Sequence, residues 1–199
     1  MSIRKVVFVS GEYYHIYNRG NSKQKIFHDK EDHYHFSGLL YACNQKENFK
    51  IDNLTKNQSL FDFEKQSKLV DIGAYCLMPN HFHIIITQPE DGSISRFMQK
   101  LSTAYVMYYN KKYKRTGGLF EGKFKSQHLN TDKYLKYSFS YTHLNPVKLI
   151  DKDWKTNGLK NRNLSITHLK DYGYSSFLDY MGLERVENKI LNTNSFPKY

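Results

Sequence analysis

The sequence predicts an α+β fold, a ferredoxin-like β-α-β-β-α-β antiparallel sheet with a C-terminal tyrosine-bearing helix added to it. Three observations lead there. Strand-like runs rich in aromatic and branched residues are interleaved with segments whose apolar residues recur at three-to-four spacing. Pro79-Asn80 joins two of those runs directly, as a hairpin turn does. The elements then follow the order strand, helix, strand, strand, helix, strand, helix, and the first six make the split pattern of such a sheet.

Tyr13 to Tyr17 reads as the first strand, broken by the turn residues Asn18-Arg19-Gly20-Asn21. Asp29 caps a helix running to about Asn44, with Tyr34, Leu39, Leu40 and Cys43 on or near its buried stripe. Residues 45–67 are polar and read as an insertion, with Leu60, Phe61 and Phe63 as its apolar points. Val70 to Leu77 is the second strand, and the chain returns from His81 as the third. Ser93 or Ser95 opens the next helix, whose buried face is Ile94, Phe97, Met98, Leu101, Ala104, Tyr105 and Tyr108. Lys111, Lys112, Lys114 and Arg115 end it, suiting the negative end of the helix dipole. Leu119 to Leu129 is the fourth strand. Asn130 or Thr131 caps the last helix of this set, which Pro146 ends, because the residue before proline avoids helical dihedrals.

Residues 1–150 thus form one domain, and 151–199 a basic C-terminal extension packed on it. Within that extension Tyr172 to Gly182 reads as a short helix and Asn192 to Tyr199 as a loose tail.

A net charge of +11 together with 17 tyrosines favours a nucleic-acid partner over a membrane surface. The two cysteines, Cys43 and Cys76, each lie in an apolar stretch and make neither a disulfide framework nor a zinc cluster. No segment has the length of a membrane span, and the start lacks the apolar core of a signal peptide, so a cytoplasmic protein is expected.

In the strand after Pro79, alternation puts His81 and His83 on one face and Phe82, Ile84 and Ile86 on the other. The apolar trio anchors the strand in a core. The two imidazoles are placed to ligate one ion, although a lone His-x-His is also common as an idle edge pair. The last helix supplies a second constellation. Tyr141 and Asn145 lie one helical turn apart and address one point, whereas Tyr134 and Tyr137 fit an aromatic face that is simply packed. A phenol with a pKa of about 10 is a poor nucleophile at neutral pH, and a divalent cation beside a phosphodiester lowers that barrier. Two imidazoles and an amide oxygen, completed by water and phosphate, suit Mg²⁺ or Mn²⁺, the imidazoles favouring Mn²⁺.

Gly73-Ala74-Tyr75-Cys76-Leu77-Met78-Pro79-Asn80-His81-Phe82-His83 resembles the metal-binding segment of the single-tyrosine HUH transposases. More narrowly it is similar to the REP-associated tyrosine transposases and their insertion-sequence (IS200-like) relatives. Three further segments agree in order: Tyr14 to Gly20, Gly118 to Lys125, and Tyr141 to Val147. Tyr174-Ser175-Ser176-Phe177 is also similar, so the resemblance covers roughly residues 12–182.

The resemblance implies a metal-dependent endonuclease and strand transferase acting on single-stranded DNA, on hairpin-flanked sites, through a covalent 5′-phosphotyrosine intermediate. Carried over, Tyr141 is the nucleophile and His81, His83 and Asn145 hold Mg²⁺ or Mn²⁺. Tyr137 is the alternative nucleophile. His15 and His143 are outside candidates for ligands or phosphate contacts. Arg19, Lys111, Lys112, Lys114, Arg115, Lys123 and Lys125 are the candidate DNA contacts. Members of these groups act as monomers or homodimers, and the basic extension leans toward the monomeric kind. The alternatives are a domesticated nucleic-acid-binding protein without transposition activity and a replication-initiator-type nickase.

Overall fold

The structure is a computed structural model, and it describes residues 6–47 and 58–198. Its frame is a four-stranded antiparallel sheet of β1 (Tyr13–Arg19), β2 (Asp71–Met78), β3 (His81–Thr87) and β4 (Lys125–His128), in the order β2-β3-β1-β4. Helices α1 (Lys30–Ala42) and α2 (Ser93–Lys112) cover one face, and α3 (Asp132–Leu144) packs on the other. This is the strand order of a ferredoxin-like sheet, with the added helix filling the face that the core pattern leaves open.

The period-two pattern decides which side chain meets which layer. Ile16, Phe82, Ile84 and Ile86 are buried with Phe36, Leu39 and Leu40 of α1 and Phe97, Leu101 and Tyr105 of α2. The opposite face carries Ala74 and Ile85, on which Leu135 and Phe139 of α3 sit. The register opposes Arg19 to His81, Tyr17 to His83 and His15 to Ile85, so His15, Tyr17 and Arg19 share the face of the two histidines. On the other side of β1, Lys125 opposes Tyr17 and Gln127 opposes His15.

Several local expectations are corrected. Asp29 does cap α1, accepting from the Asp32 amide, but Tyr34 points outward and is 47% exposed. Ser93 does open α2, and the residue before it, Gly92, is left-handed at φ 83°, where glycine avoids the Cβ penalty. Along α2 the buried stripe ends on Tyr105 and Tyr109, while Tyr108 and Ala104 are half-buried. The fourth strand is only four residues long, and Phe120 makes an isolated bridge to Gly20. Thr131 caps α3 by accepting from the Tyr134 amide. Asn145 keeps helical dihedrals of −52° and −40°, and the chain runs through Pro146 as a 3-10 turn, Asn145–Leu149. Proline at the start of a new turn needs no amide hydrogen there, which offsets the usual bias of its predecessor.

Of the insertion, residues 48–57 lie outside the described residues; Ser59 and Asp62 form a reciprocal capping box on the 3-10 turn Leu60–Asp62. After the small helix α4 (Trp154–Asn157) and α5 (Arg162–Asp171), residues 172–176 are not helical. Ser175 bridges Cys76 at the edge of β2, and the helix α6 is confined to Phe177–Tyr180. Arg185 clamps this edge: it donates to both carboxylate oxygens of Asp179, to the Tyr75 hydroxyl and to the carbonyls of Gly173 and Ser175. The tail is not loose but packed as far as Phe196. Asn192 donates its amide to the Ile72 carbonyl, and Phe196 is buried against Phe139. Gly73 makes room for that packing, since a Cβ there would stand 2.8 Å from Phe139 and 2.9 Å from Phe196. Among the described residues no helix is long and apolar enough to cross a membrane.

Candidate active site

β3 presents His81 and His83 to the face on which α3 lies, because Phe82, Ile84 and Ile86 are held in the opposite core. Their ring centres are 5.0 Å apart with planes at 89°. Metal–imidazole bonds of about 2.1 Å place two adjacent ligand rings roughly 5 Å apart, so the spacing suits a shared ion. Both rings are held through Nδ1. Asn80 Oδ1 lies 2.6 Å from Nδ1 of His81, and Nε2 of His15 lies 2.8 Å from Nδ1 of His83. That leaves Nε2 of each ring as the nitrogen a ligand would meet. Nε2 of His83 is buried and has no hydrogen-bond partner, which is costly for a polar atom unless something else engages it.

Burial pushes His81 down to about 4, with the charges of Lys148 and Arg19 adding to the effect. Burial alone takes His15 to about 4. For His83 burial, His15, His81 and Lys148 act in the same direction and push it well below its ordinary value. All three rings are therefore neutral at pH 7, the state in which a ring nitrogen has a lone pair to give. Among the described residues no group of three or more His, Cys, Asp or Glu side chains is arranged as a metal cluster. A cation here would take two imidazoles from the chain and further donors from an amide, water or phosphate. The donor set fits a divalent cation on those terms.

α3 brings Tyr141 against His83 and His15. Its ring lies 5.7 Å from that of His83 and 6.3 Å from that of His15, nearly perpendicular to both. Tyr137, half exposed, stacks on Tyr141 at 6.2 Å. These rings share a cavity of about 380 Å³ with Tyr17, Gln127, Tyr134, Ser138 and Lys155, and the Lys155 ammonium stands 4.7 Å above the Tyr141 ring. The tyrosine and the histidines belong to one chain. Asn145 is buried at the next turn, and its amide nitrogen donates to the Tyr141 carbonyl at 3.2 Å, leaving Oδ1 as the amide's acceptor. His143 is not part of this cavity; its Nε2 lies 2.8 Å from Ser176 Oγ.

The expected basic residues do not converge. Arg19 and Lys125 line a groove beside His81, although Arg19 is paired with Glu121. Lys123 borders a separate small cavity against α2. Lys112 binds Asp29, Glu31 and Asp32, and Arg115 lies over Tyr109 while donating to the Gly118 carbonyl. The residues that sequence reasoning missed are Tyr17, Gln127 and Lys155 in the tyrosine cavity and Lys23, Lys25, Lys148 and Lys152 in the groove. Tyr17 was findable, since alternation along β1 puts it on the face of His15.

Fold and site together define a class: a ferredoxin-like α+β domain with paired strand histidines facing a helix tyrosine. The family model described as "Transposase IS200 like" matches residues 8–148, and the chain belongs to that transposase family. Among solved structures the chain is similar to "Structure of the REP associates tyrosine transposase bound to a REP hairpin", at a TM-score of 0.57 and 15% identity. That match covers 94% of this chain and 90% of the other. Among curated proteins no match is found.

Proposed function

We propose that this transposase cleaves and rejoins single-stranded DNA with Tyr141 as nucleophile, forming a covalent 5′-phosphotyrosine link and a free 3′-OH, on hairpin-flanked sites. The observation that carries the reading is the meeting of Tyr141 with His83, whose buried Nε2 lacks a partner, within one chain. His81, His83 and the Asn145 amide oxygen would hold Mg²⁺ or Mn²⁺. When bound, that cation polarises the phosphodiester and offsets charge in the transition state. The chain's own part is positional: α3 holds the Tyr141 ring against the histidine face. The placing of Tyr141 beside His83 within one chain supports the reading of a monomer that acts with its own tyrosine.

The test mixes the protein with hairpin-flanked single-stranded DNA and Mn²⁺ and looks for a denaturant-stable protein–DNA adduct. The reading expects an adduct that disappears in Tyr141→Phe and persists in Tyr137→Phe. The reverse pattern moves the nucleophile to Tyr137, and binding without any adduct supports a DNA-binding protein that has lost cleavage.

A further inference from the structure

Two concavities adjoin at Tyr17, on either side of the step from His81 to His83. The tyrosine cavity lies toward His15 and His83. The other, a groove of about 990 Å³, lies toward Arg19 and His81. Its wall carries Lys23, Lys25, Lys125, Lys148 and Lys152, with Asp153 as the acid among them. These lysines come from three separate stretches of chain. Ser22 and Lys23 both adopt left-handed dihedrals, at φ 51° and 60°, which are unfavourable for residues with a Cβ and turn the chain at the groove wall. The Lys23 carbonyl accepts from the Asn80 side chain, next to His81. Such a row of ammonium groups suits successive phosphates of a single strand.

Given the proposed reading of the site, on which this step rests, the arrangement fixes a direction. In phosphoryl transfer the attacking and leaving oxygens lie roughly in line across the phosphorus. The phenol attacks from the tyrosine cavity, so the leaving oxygen departs toward the opposite side. We infer that the basic groove holds the strand upstream of the cleaved phosphate, the one that leaves with the 3′-OH, while the downstream strand stays with Tyr141. The phenol gives its proton to water, its oxygen bonds to phosphorus, the P–O3′ bond breaks, and O3′ takes up a proton. The groove thereby keeps the new 3′-OH beside the phosphotyrosine, where reversal rejoins the strands.

Photo-crosslinking reads this direction without turnover. The probe is a short oligothymidylate bound to the Tyr141→Phe protein, with a photoreactive group at its 3′ end or at its 5′ end. The 3′ group should label the His81 and Tyr17 end of the groove, and the 5′ group the lysines away from it. Inverted labelling, or labelling outside the groove, overturns the inference. A second measurement uses Lys148→Gln with Lys152→Gln. The salt slope of oligothymidylate binding should fall by about 0.7 for each phosphate that the variant no longer neutralises. From the adduct formed on hairpin-flanked DNA, the released upstream strand should escape roughly tenfold faster than in wild type. Unchanged slope and retention overturn the assignment of the groove. If wild-type protein gives the labelling pattern but no adduct, the cleavage reading fails and the groove assignment stands.

Discussion

Nε2 of His15 lies 2.8 Å from Nδ1 of His83, two rings brought together across the pairing of β1 with β3. If His83 gives the lone pair of Nε2 to a cation, its proton must sit on Nδ1, and His15 accepts it. His15 then fixes the tautomer and angle of a ligand without touching the ion. Partners of this kind typically contribute about 10–100-fold in metal affinity. Calorimetric titration with Mn²⁺ should show a loss in that range for His15→Ala and partial recovery for His15→Gln, whose amide oxygen still accepts. Equal Mn²⁺ affinity in wild type and His15→Ala would rule the role out.

Lys155 contributes the cation of the tyrosine cavity, 4.7 Å above the Tyr141 ring and on a different element, α4. It is placed to offset negative charge on a phosphate joined to the phenol. At an exposed site a cation over an aromatic ring contributes about 0.5–1 kcal/mol, equivalent to about two- to fivefold. Adduct formation by Lys155→Ala should slow by roughly that factor, and Lys155→Arg should stay near wild type. A rate in Lys155→Ala equal to wild type would remove Lys155 from the site.

Lys112 illustrates a charge read as a DNA contact that the fold uses otherwise. Its ammonium lies 2.8 Å from Oδ1 of Asp32, whose side chain is fully buried, and 2.9 Å from both Asp29 and Glu31. Asp32 also accepts from the hydroxyls of Tyr108 and Tyr113 and from the His28 amide. Removing the ammonium leaves a buried carboxylate with hydroxyl and amide donors only, a loss of about 1–3 kcal/mol. Urea unfolding of Lys112→Met should show that loss, while oligonucleotide binding changes little. Weakened binding at unchanged stability would restore Lys112 to the nucleic-acid surface.

What the sequence made legible follows from periodicity. Phe82, Ile84 and Ile86 against His81 and His83 is a period-two statement, and β3 obeys it. The same reasoning could separate Tyr141 from Tyr137 only by register, because both point to one side of α3 and line one cavity. Along α2 the stripe drifts, so Tyr109 rather than Tyr108 is buried by the last turn. Phe196 stands alone in a polar tail, and no local pattern announces that it fills the space above Gly73. The groove was illegible for a stronger reason. Lys23, Lys125, Lys148 and Lys152 are far apart in sequence, and each by itself reads as a solvated charge; only the sheet order brings them beside His81.

His35 supplies a pH dependence that lies away from the site. Its ring stacks on Tyr108 at 3.7 Å between centres, and its Nε2 is buried without a partner. Burial pushes it down to about 4; Glu31 and Asp32 oppose that shift and Lys112 adds to it. In the unfolded chain the same ring titrates near its ordinary value of about 6.5. A group whose folded value is depressed favours the fold at a pH above the unfolded value. That contribution is lost as pH falls, because the unfolded chain takes up the proton first. Between pH 6.5 and 4 His35 should therefore account for about 2 kcal/mol of lost stability. His35→Phe keeps the stack and removes the titration. Urea midpoints measured across that range should fall less steeply for His35→Phe than for wild type, whereas parallel curves would show that His35 stays neutral or exposed in both states.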